Sequence, residues 1–232
     1  MRTRRMTLTP EHVAQVHRVL DDPGPDPTWT YHGDTDYDAL ARDLIACRPD
    51  GPDTWLFAYG SLIWKPEIEH VETRRGTARG WHRSFCFRIE RFRGTRELPG
   101  LMMSLDRGGQ CQGVLFRLPP SDLAAQLGKL LRREITVKPP NNLPRWINVE
   151  TDQGIVRPLA FVMNRRSRFY TGRLPPEQIA DVLARACGHW GSCAEYLHRT
   201  VAHLEEQGIH DRNLWRLQAL VAERIKADGC GT

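Results

Sequence analysis

The stretch that decides the fold is Trp55-Leu-Phe-Ala-Tyr-Gly-Ser-Leu-Ile-Trp64. It begins with an apolar run, Trp55 to Ala58, that has the length and composition of a buried strand. The run breaks at Tyr59-Gly60-Ser61, where glycine permits a sharp turn and successive backbone N–H groups can face an anion. These residues predict a strand followed by a short loop that holds a carboxylate or a developing oxyanion. An ordinary corner between a strand and a loop explains them equally well.

The length and composition are those of a globular protein. The chain has 232 residues, 40% of them hydrophobic, which suffices for one large domain or for a domain with an appendage. The apolar runs are too short for a membrane span, and Met1-Arg-Thr-Arg-Arg-Met6 is not followed by the apolar segment of a secretory signal. Six irregularly spaced cysteines indicate free thiols in a reducing compartment. We therefore expect a cytoplasmic monomer that binds no membrane.

The net charge of +5 comes mostly from arginines scattered along the chain among acidic residues. Basic clusters such as Arg132-Arg133 and Arg165-Arg166 are short. A nucleic-acid-binding protein would be expected to carry a longer basic stripe or a known module. The pattern favours a solvated surface with some recognition of an anionic substrate, and no nucleic-acid partner.

The order of the predicted elements indicates the fold class. Residues 1–53 carry two amphipathic helices and are predicted to be an N-terminal helical appendage, and residues 54–228 form the main domain. That domain is rich in strands up to about residue 118, with a hairpin predicted at Asp106-Arg-Gly-Gly109. A helix, two strands (146–150 and 155–163) and further helices follow. This order predicts an α+β protein in which a small mixed barrel or sheet is surrounded by peripheral helices.

Glu134 is a candidate functional residue because of where it stands. It follows a helical stripe of leucines at positions 123, 127, 130 and 131, at a junction where a carboxylate can point inward. A surface glutamate at the end of a helix is the more ordinary outcome, since glutamate is rarely buried without a partner.

Several separate segments together resemble the ChaC-type glutathione-specific γ-glutamylcyclotransferases, from about Trp55 to Ile225. They are Tyr59-Gly-Ser-Leu-Ile-Trp64, Gly80-Trp-His-Arg-Ser-Phe-Cys86, Arg93-Gly-Thr95 with Pro99-Gly100, Gly113-Val-Leu-Phe-Arg-Leu118, Arg133-Glu134 and Ala194-Glu-Tyr-Leu197. The resemblance implies a small β-barrel-like γ-glutamylcyclotransferase fold with surrounding helices. It also implies cleavage of glutathione into 5-oxoproline and cysteinyl-glycine, a reaction that needs no metal, nucleotide or other cofactor.

The resemblance also implies roles for particular residues. The catalytic glutamate of the family falls on Glu134, its anion-binding loop on Tyr59, Gly60, Ser61 and Leu62, and a tyrosine of its pocket on Tyr196. In this reaction the α-amine of the substrate attacks its own γ-carbonyl, so one carboxylate can accept the first proton and later donate one to the leaving nitrogen. Arg83, or an arginine of the segment 91–96, is a candidate for binding the glycyl carboxylate.

Two departures from the family pattern leave the identity of the γ-glutamyl substrate undecided. Leu101 stands after Pro99-Gly100, where many relatives carry a basic residue, and Lys138-Pro-Pro-Asn-Asn-Leu-Pro144 is rich in proline where some relatives have a glycine-rich turn. One alternative is therefore a cyclotransferase for other γ-glutamyl amines or amino acids. A non-catalytic regulatory binding protein is a second alternative, and a basic nucleic-acid binder is a third.

Overall fold

The structure is a computed structural model that describes residues 5–229. Residues 1–4 and 230–232 lie outside the described residues, and with them most of the basic N-terminal segment and Cys230. In chain order the helices and strands are α1 (Pro10–Val16), β1 (Thr30–Tyr31), α2 (Asp34–Ala46), β2 (Thr54–Ala58), β3 (Glu72–Ile89), β4 (Gly100–Leu118), α3 (Leu123–Glu134), β5 (Val137–Lys138), β6 (Asn142–Trp146), β7 (Val149–Thr151), β8 (Gly154–Val156), β9 (Leu159–Met163), α4 (Pro176–Leu183), β10 (Cys187–Gly188), β11 (Gly191–Ser192), α5 (Cys193–Glu206) and α6 (Arg212–Gly229).

The chain forms two compact units. The sheet unit comprises Pro25–Ser84 and Ser104–Tyr170, and the helical unit comprises the described parts of Met1–Gly24, Phe85–Met103 and Thr171–Thr232. Residues 25–53 of the expected appendage therefore share a unit with β2, whereas residues 5–24 share one with the C-terminal helices.

The sheet unit is built on a seven-stranded mixed sheet in the order β6-β9-β2-β4-β3-β7-β8. β2 and β9 are buried at every position, as the apolar runs at 55–58 and 159–163 predict for central strands. β9 pairs in parallel with β2, through Leu56 and Leu159, and also with β4, through Leu105 and Val162. Since β4 also pairs with β2, these three strands curl around one another, which agrees with the expected mixed, barrel-like sheet.

The helical unit packs its helices around one another. α4 and α5 lie against α6, and α1 lies against both α5 and α6. Ser192 caps α5 as its sequence predicts, because its Oγ accepts a hydrogen bond of 3.0 Å from the backbone N–H of Glu195. The segment before α1 is tied to α6, where Leu8 N donates to the buried Gln218 side chain at 2.7 Å.

The hairpin predicted at Asp106-Arg-Gly-Gly109 is wrong, because β4 runs unbroken through those residues. Gly108 and Gly109 have positive φ angles of 106° and 66°, beside His82 of β3. Glycines in this region of conformational space can twist or bend a long strand without reversing it. The two glycines therefore mark a local change of backbone conformation within β4 and not a turn.

The proline-rich segment after Glu134 takes part in the strands of the sheet unit. Its residues contribute to two strands, β5 and β6, and β6 pairs with β9 over the five positions from Asn142 to Trp146. β6 lies at the edge of the sheet, where a strand tolerates Pro144. Of the helices within residues 5–229, none has both the length and the apolar character needed to cross a bilayer.

Candidate active site

The loop after β2 is fixed by the side chain and the carbonyl group of Tyr59. The Tyr59 hydroxyl is buried and donates a 2.7 Å hydrogen bond to the Phe161 carbonyl of β9. The Tyr59 carbonyl accepts a 2.6 Å hydrogen bond from Arg83 Nε of β3. The loop therefore leaves the sheet at a position that two other strands set.

A short 3₁₀ helix, Ser61–Ile63, follows directly. The Gly60 carbonyl accepts from Ile63 N at 2.9 Å, and the Ser61 carbonyl accepts from Lys65 N at 2.8 Å. The first N–H groups of such a helix have no acceptor within it. Ser61 and Leu62 stand at this position in the 3₁₀ helix, and the predicted binding of an anion by their N–H groups stays a prediction.

Gly113 of β4 permits the close approach of two strands beside this loop. A Cβ at Gly113 would lie 2.6 Å from the Ala58 carbonyl oxygen and 2.6 Å from the Phe57 ring. Only glycine allows β4 to pass this close to the end of β2.

Glu134 is the last residue of α3, and its side chain is 16% exposed. The leucines of the same helix, 127, 130 and 131, are buried and mark the face that packs into the unit. Glu134 follows Leu130 and Leu131 at the i+4 and i+3 spacings, so it continues this face. The inward position that the sequence left open is the one observed.

The surroundings favour a protonated Glu134 more than water does. Burial raises the pKa of the Glu134 carboxyl above its ordinary value, and the nearby Arg133 guanidinium offsets part of that rise. Glu67 adds to the rise through its negative charge. A carboxyl group tuned in this direction suits a residue that both accepts and returns a proton.

Arg133 joins Glu134 to the loop. Its Nε lies 3.2 Å from Glu134 Oε1, and its Nη2 lies 3.1 Å from Ser61 Oγ. Its Nη1 donates to the Lys65 carbonyl and lies 2.9 Å from Glu67 Oε2. One guanidinium therefore spans the candidate base, the candidate anion loop and the segment that follows it.

Gln126 provides a second link between α3 and the same segment. Its side chain is fully buried, and Oε1 accepts a 3.0 Å hydrogen bond from Glu69 N. Its amide nitrogen donates to Asp122 Oδ2 at 2.8 Å. Gln126 and Arg133 lie two turns apart on α3, so the helix is held to residues 65–69 at both places.

The structure gives Arg83 backbone partners. Besides the Tyr59 carbonyl, it donates through Nη2 to the Gln112 carbonyl of β4. Two nitrogen atoms of the Arg83 guanidinium group, Nε and Nη2, are therefore bonded to backbone carbonyls beside the loop. The predicted contact with the glycyl carboxylate of glutathione remains a prediction.

Tyr196 belongs to the helical unit and is buried on α5. Its ring meets Phe85 edge-on at 6.2 Å, and the Arg93 guanidinium lies over the ring at 5.7 Å. Arg93 is buried and pairs with Glu195 at 2.8 Å, while Arg91 pairs with Asp22 through two contacts. Both arginines thus have acidic partners within the unit.

The structure brings together six of the predicted residues. Arg133 joins Glu134 to the loop of Tyr59, Gly60, Ser61 and Leu62, and Arg83 donates to the Tyr59 carbonyl. The candidate residues named from the sequence did not include Arg133 or Glu67. A signal existed for Arg133, because it precedes Glu134 in one of the matching segments. None existed for Glu67, whose contact with Arg133 crosses 66 residues of sequence.

Comparisons with known proteins agree with the resemblance. The family model described as ChaC-like protein matches residues 54–224. The glutathione-specific γ-glutamylcyclotransferase of Escherichia coli K12 is 39% identical over 171 residues, which cover 73% of each chain. The glutathione-specific γ-glutamylcyclotransferase 1 of Danio rerio is 28% identical, over 80% of this chain and 95% of that protein.

The fold has a solved counterpart. The crystal structure of a γ-glutamylcyclotransferase specific to glutathione from yeast matches with a TM-score of 0.68 and 18% identity, over 75% of this chain and 97% of that one. The predicted α+β fold is thereby confirmed. With the family model matching residues 54–224, this chain belongs to the family of ChaC-like proteins.

Proposed function

We propose that this protein is a glutathione-specific γ-glutamylcyclotransferase that releases 5-oxoproline and cysteinyl-glycine. The observation that supports the proposal is the link from Glu134 through Arg133 to Ser61, which joins a largely buried carboxyl group to the loop after β2. The names of the relatives from Escherichia coli and Danio rerio support the same substrate.

The substrate carries its own nucleophile. The α-amino nitrogen of the γ-glutamyl group attacks the γ-carbonyl carbon, and a five-membered ring forms as the bond to the cysteinyl nitrogen breaks. Because nucleophile and electrophile belong to one molecule, the protein needs only to hold the folded conformation. Proton transfer and charge stabilisation are the tasks left for its side chains.

Glu134 performs the proton transfers. Its carboxylate accepts a proton from the α-ammonium group, which frees the nitrogen lone pair for attack. The carboxylic acid then donates that proton to the cysteinyl nitrogen as its bond to the γ-carbon breaks. The carboxylate takes the second proton from the ring nitrogen, which becomes the amide N–H of 5-oxoproline. It passes this proton to the released cysteinyl amine, so Glu134 ends as a carboxylate. Burial, which raises the pKa of Glu134, brings its basicity closer to that of the groups it serves.

The loop and Arg133 handle negative charge. The N–H groups of Gly60, Ser61 and Leu62 hold the α-carboxylate of the substrate or the oxyanion of the tetrahedral intermediate. Arg133 fixes the loop relative to Glu134 by its contacts with Ser61 Oγ and Glu134 Oε1. We assign Tyr196 to the substrate pocket and keep Arg83 as a candidate for the glycyl carboxylate.

We also propose the domain organisation, the oligomeric state and the cellular compartment of the protein. Residues 54–228 form the cyclotransferase domain and residues 1–53 form an appendage to it. The enzyme acts without a cofactor as a cytoplasmic monomer, and glutathione or a related γ-glutamyl peptide is its ligand.

The test is incubation of the purified protein with glutathione, followed by mass-spectrometric detection of 5-oxoproline and cysteinyl-glycine. The parent forms both products, and Glu134→Gln forms neither while keeping its circular dichroism spectrum. Glu150→Gln is the matched control, because Glu150 is an exposed residue of β7 whose ion-pair partner is Arg79 of β3. Equal turnover by the parent and Glu134→Gln would refute the catalytic assignment.

A panel of other γ-glutamyl substrates distinguishes the glutathione-specific enzyme from a cyclotransferase for other γ-glutamyl amines or amino acids. A glutathione-specific enzyme requires the cysteinyl-glycine portion, so γ-glutamyl amino acids are turned over poorly. Turnover of those compounds without any turnover of glutathione would establish the broader cyclotransferase instead. No turnover of any γ-glutamyl compound would favour the non-catalytic regulatory protein.

A further inference from the structure

The segment Thr30–Ala46, which comprises β1 and α2, contacts the chain on both sides of Glu134. It lies outside residues 54–224, which match the family model. We propose that this segment, the N-terminal clamp, positions the Glu134 carboxylate for proton transfer. The inference rests on the proposed function, because it assigns to the clamp an effect on the residue proposed as the base.

The clamp holds the backbone that follows Glu134. β1 pairs with β5 in antiparallel register, with Thr30 opposite Lys138 and Tyr31 opposite Val137. The backbone N–H of His32 extends the pairing with a 3.0 Å hydrogen bond to the Thr136 carbonyl. The chain is therefore fixed from two residues after Glu134 onward.

A second contact fixes the side that precedes Glu134. Arg132 Nη2 lies 2.8 Å from Asp34 Oδ1, and Arg132 Nε lies 3.3 Å from the same oxygen. The guanidinium also lies 5.1 Å from the ring centroid of Tyr37, which is buried on α2. The last turn of α3 is thereby held to the first turn of α2.

A third contact returns to the following strand. Lys138 Nζ lies 2.5 Å from Asp36 Oδ2, and the same carboxylate oxygen accepts a 2.8 Å hydrogen bond from Gly33 N. Asp34 and Asp36 stand in the first turn of α2, where the helix dipole favours negative charge. Two carboxylates of one helix turn thus hold residues 132 and 138, two before and four after Glu134.

The position of Glu134 explains why such a clamp matters. Ile135, the C-cap residue, has extended backbone angles of φ −129° and ψ 91°, so α3 ends at the candidate base. Terminal helix turns open more readily than helix centres. A displacement of about 1 Å at a reacting group can cost about 100-fold in rate, so an unfastened terminus would slow the reaction before it unfolds the protein.

A purely structural role predicts a different result. If the segment only adds stability, removing its contacts lowers the midpoint of thermal unfolding and leaves kcat of the folded enzyme unchanged. If it positions Glu134, kcat falls while KM and the unfolding midpoint change little, because exposed ion pairs contribute about 1 kcal/mol or less to stability.

The experiment compares the parent with the double variant Asp34→Asn/Asp36→Asn. Asp43→Asn is the matched control, since Asp43 lies exposed on α2 away from these contacts. Measured are kcat and KM for glutathione, the midpoint of unfolding, and hydrogen exchange of the amides of residues 131–138. We expect kcat to fall about 10- to 100-fold with KM within about twofold, and faster exchange around Ile135, whose N–H is bonded to the Leu131 carbonyl.

Other outcomes would overturn either the clamp or the proposed cyclotransferase function. An unchanged kcat in the double variant overturns the clamp, whatever the unfolding midpoint does. A parent that turns over no γ-glutamyl compound refutes the proposed function. In that case the exchange measurement still tests whether the segment fastens the end of α3, and unchanged exchange would overturn that as well.

Discussion

Arg133 and Glu134 are neighbours in the chain and also form an ion pair, with Nε 3.2 Å from Oε1 and side chains only 18% and 16% exposed. Successive residues of a helix point about 100° apart and do not face each other, and this pair lies where α3 ends. Here the guanidinium also contacts Ser61 and Glu67, and the ion pair therefore belongs to a network that crosses from α3 to the loop after β2.

The acid limb of the pH profile reports on Glu134. Catalysis needs the carboxylate form, so kcat/KM falls as the pH decreases through the pKa of Glu134. Because burial raises that pKa, we expect the midpoint of the fall above the ordinary glutamate value of 4.5. The measurement is a pH series of initial rates, and a limb at or below the ordinary value would contradict the environment described.

The stability of Glu134→Gln should move in the opposite direction from its activity. A carboxyl whose pKa is raised on folding stabilises the folded state only below its unfolded pKa, and this contribution is lost as the pH rises through the folded pKa. At pH 7 we therefore expect Glu134→Gln to unfold at the same temperature as the parent or higher, with the difference shrinking below about pH 4. Thermal unfolding followed by circular dichroism at both pH values checks this.

Substitution of Arg133 should separate charge from geometry. Arg133→Ala removes a positive charge that lowers the pKa of Glu134, so the acid limb of the profile moves to higher pH. It also releases the contact with Ser61, and we expect kcat/KM to fall about 100-fold or more. Arg133→Lys keeps the positive charge but replaces the guanidinium group, with its several donors, by a single ammonium group. The acid limb of its pH profile therefore stays near that of the parent, although kcat/KM falls.

Arg145 provides the control for these variants. It lies exposed on β6, and Arg145→Lys should leave both the rate and the profile unchanged. An Arg133→Ala variant with the rate of the parent would show that the loop and Glu134 need no common anchor.

The role of Arg83 can be decided with two substrates. If Arg83 positions the loop through the Tyr59 and Gln112 carbonyls, Arg83→Gln lowers kcat/KM by the same factor for glutathione and for γ-glutamylcysteine, which lacks the glycine. If Arg83 binds the glycyl carboxylate, the variant loses activity only with glutathione. The observed contacts lead us to expect equal losses, measured as the ratio of the two kcat/KM values.

Gly113→Ala should destabilise the protein. The added Cβ would lie 2.6 Å from the Ala58 carbonyl oxygen, so β4 must move away from β2. We expect a loss of about 1–3 kcal/mol in the free energy of unfolding, measured by urea denaturation. Gly128→Ala on α3 is the control, because there the only close atom belongs to the flexible Arg132 side chain and alanine favours a helix. Equal stabilities of the two variants would contradict the close approach.

Most helices and the central strand could be predicted because their signals are local. The leucine spacing of α3, the serine cap of α5 and the apolar run of β2 are each contained within one element. One prediction from turn residues was wrong. The glycines at 108 and 109 lie within the continuous strand β4 and not in a hairpin turn, since turn composition does not reveal whether the chain reverses or continues.

The sequence by itself determined the family, the α+β class and the place of Glu134 at the end of an amphipathic helix, because matching segments and apolar periodicity are properties of the linear chain. Only the tertiary structure decided that Glu134 is sheltered, that Arg133 binds Ser61 across 72 residues, and that β1 and the first turns of α2 contact the chain on both sides of the candidate base. Periodicity tells which face of an element is apolar but not which element will cover it. Partners far apart in sequence are selected by packing and hydrogen-bond geometry, and these exist only once the chain has folded.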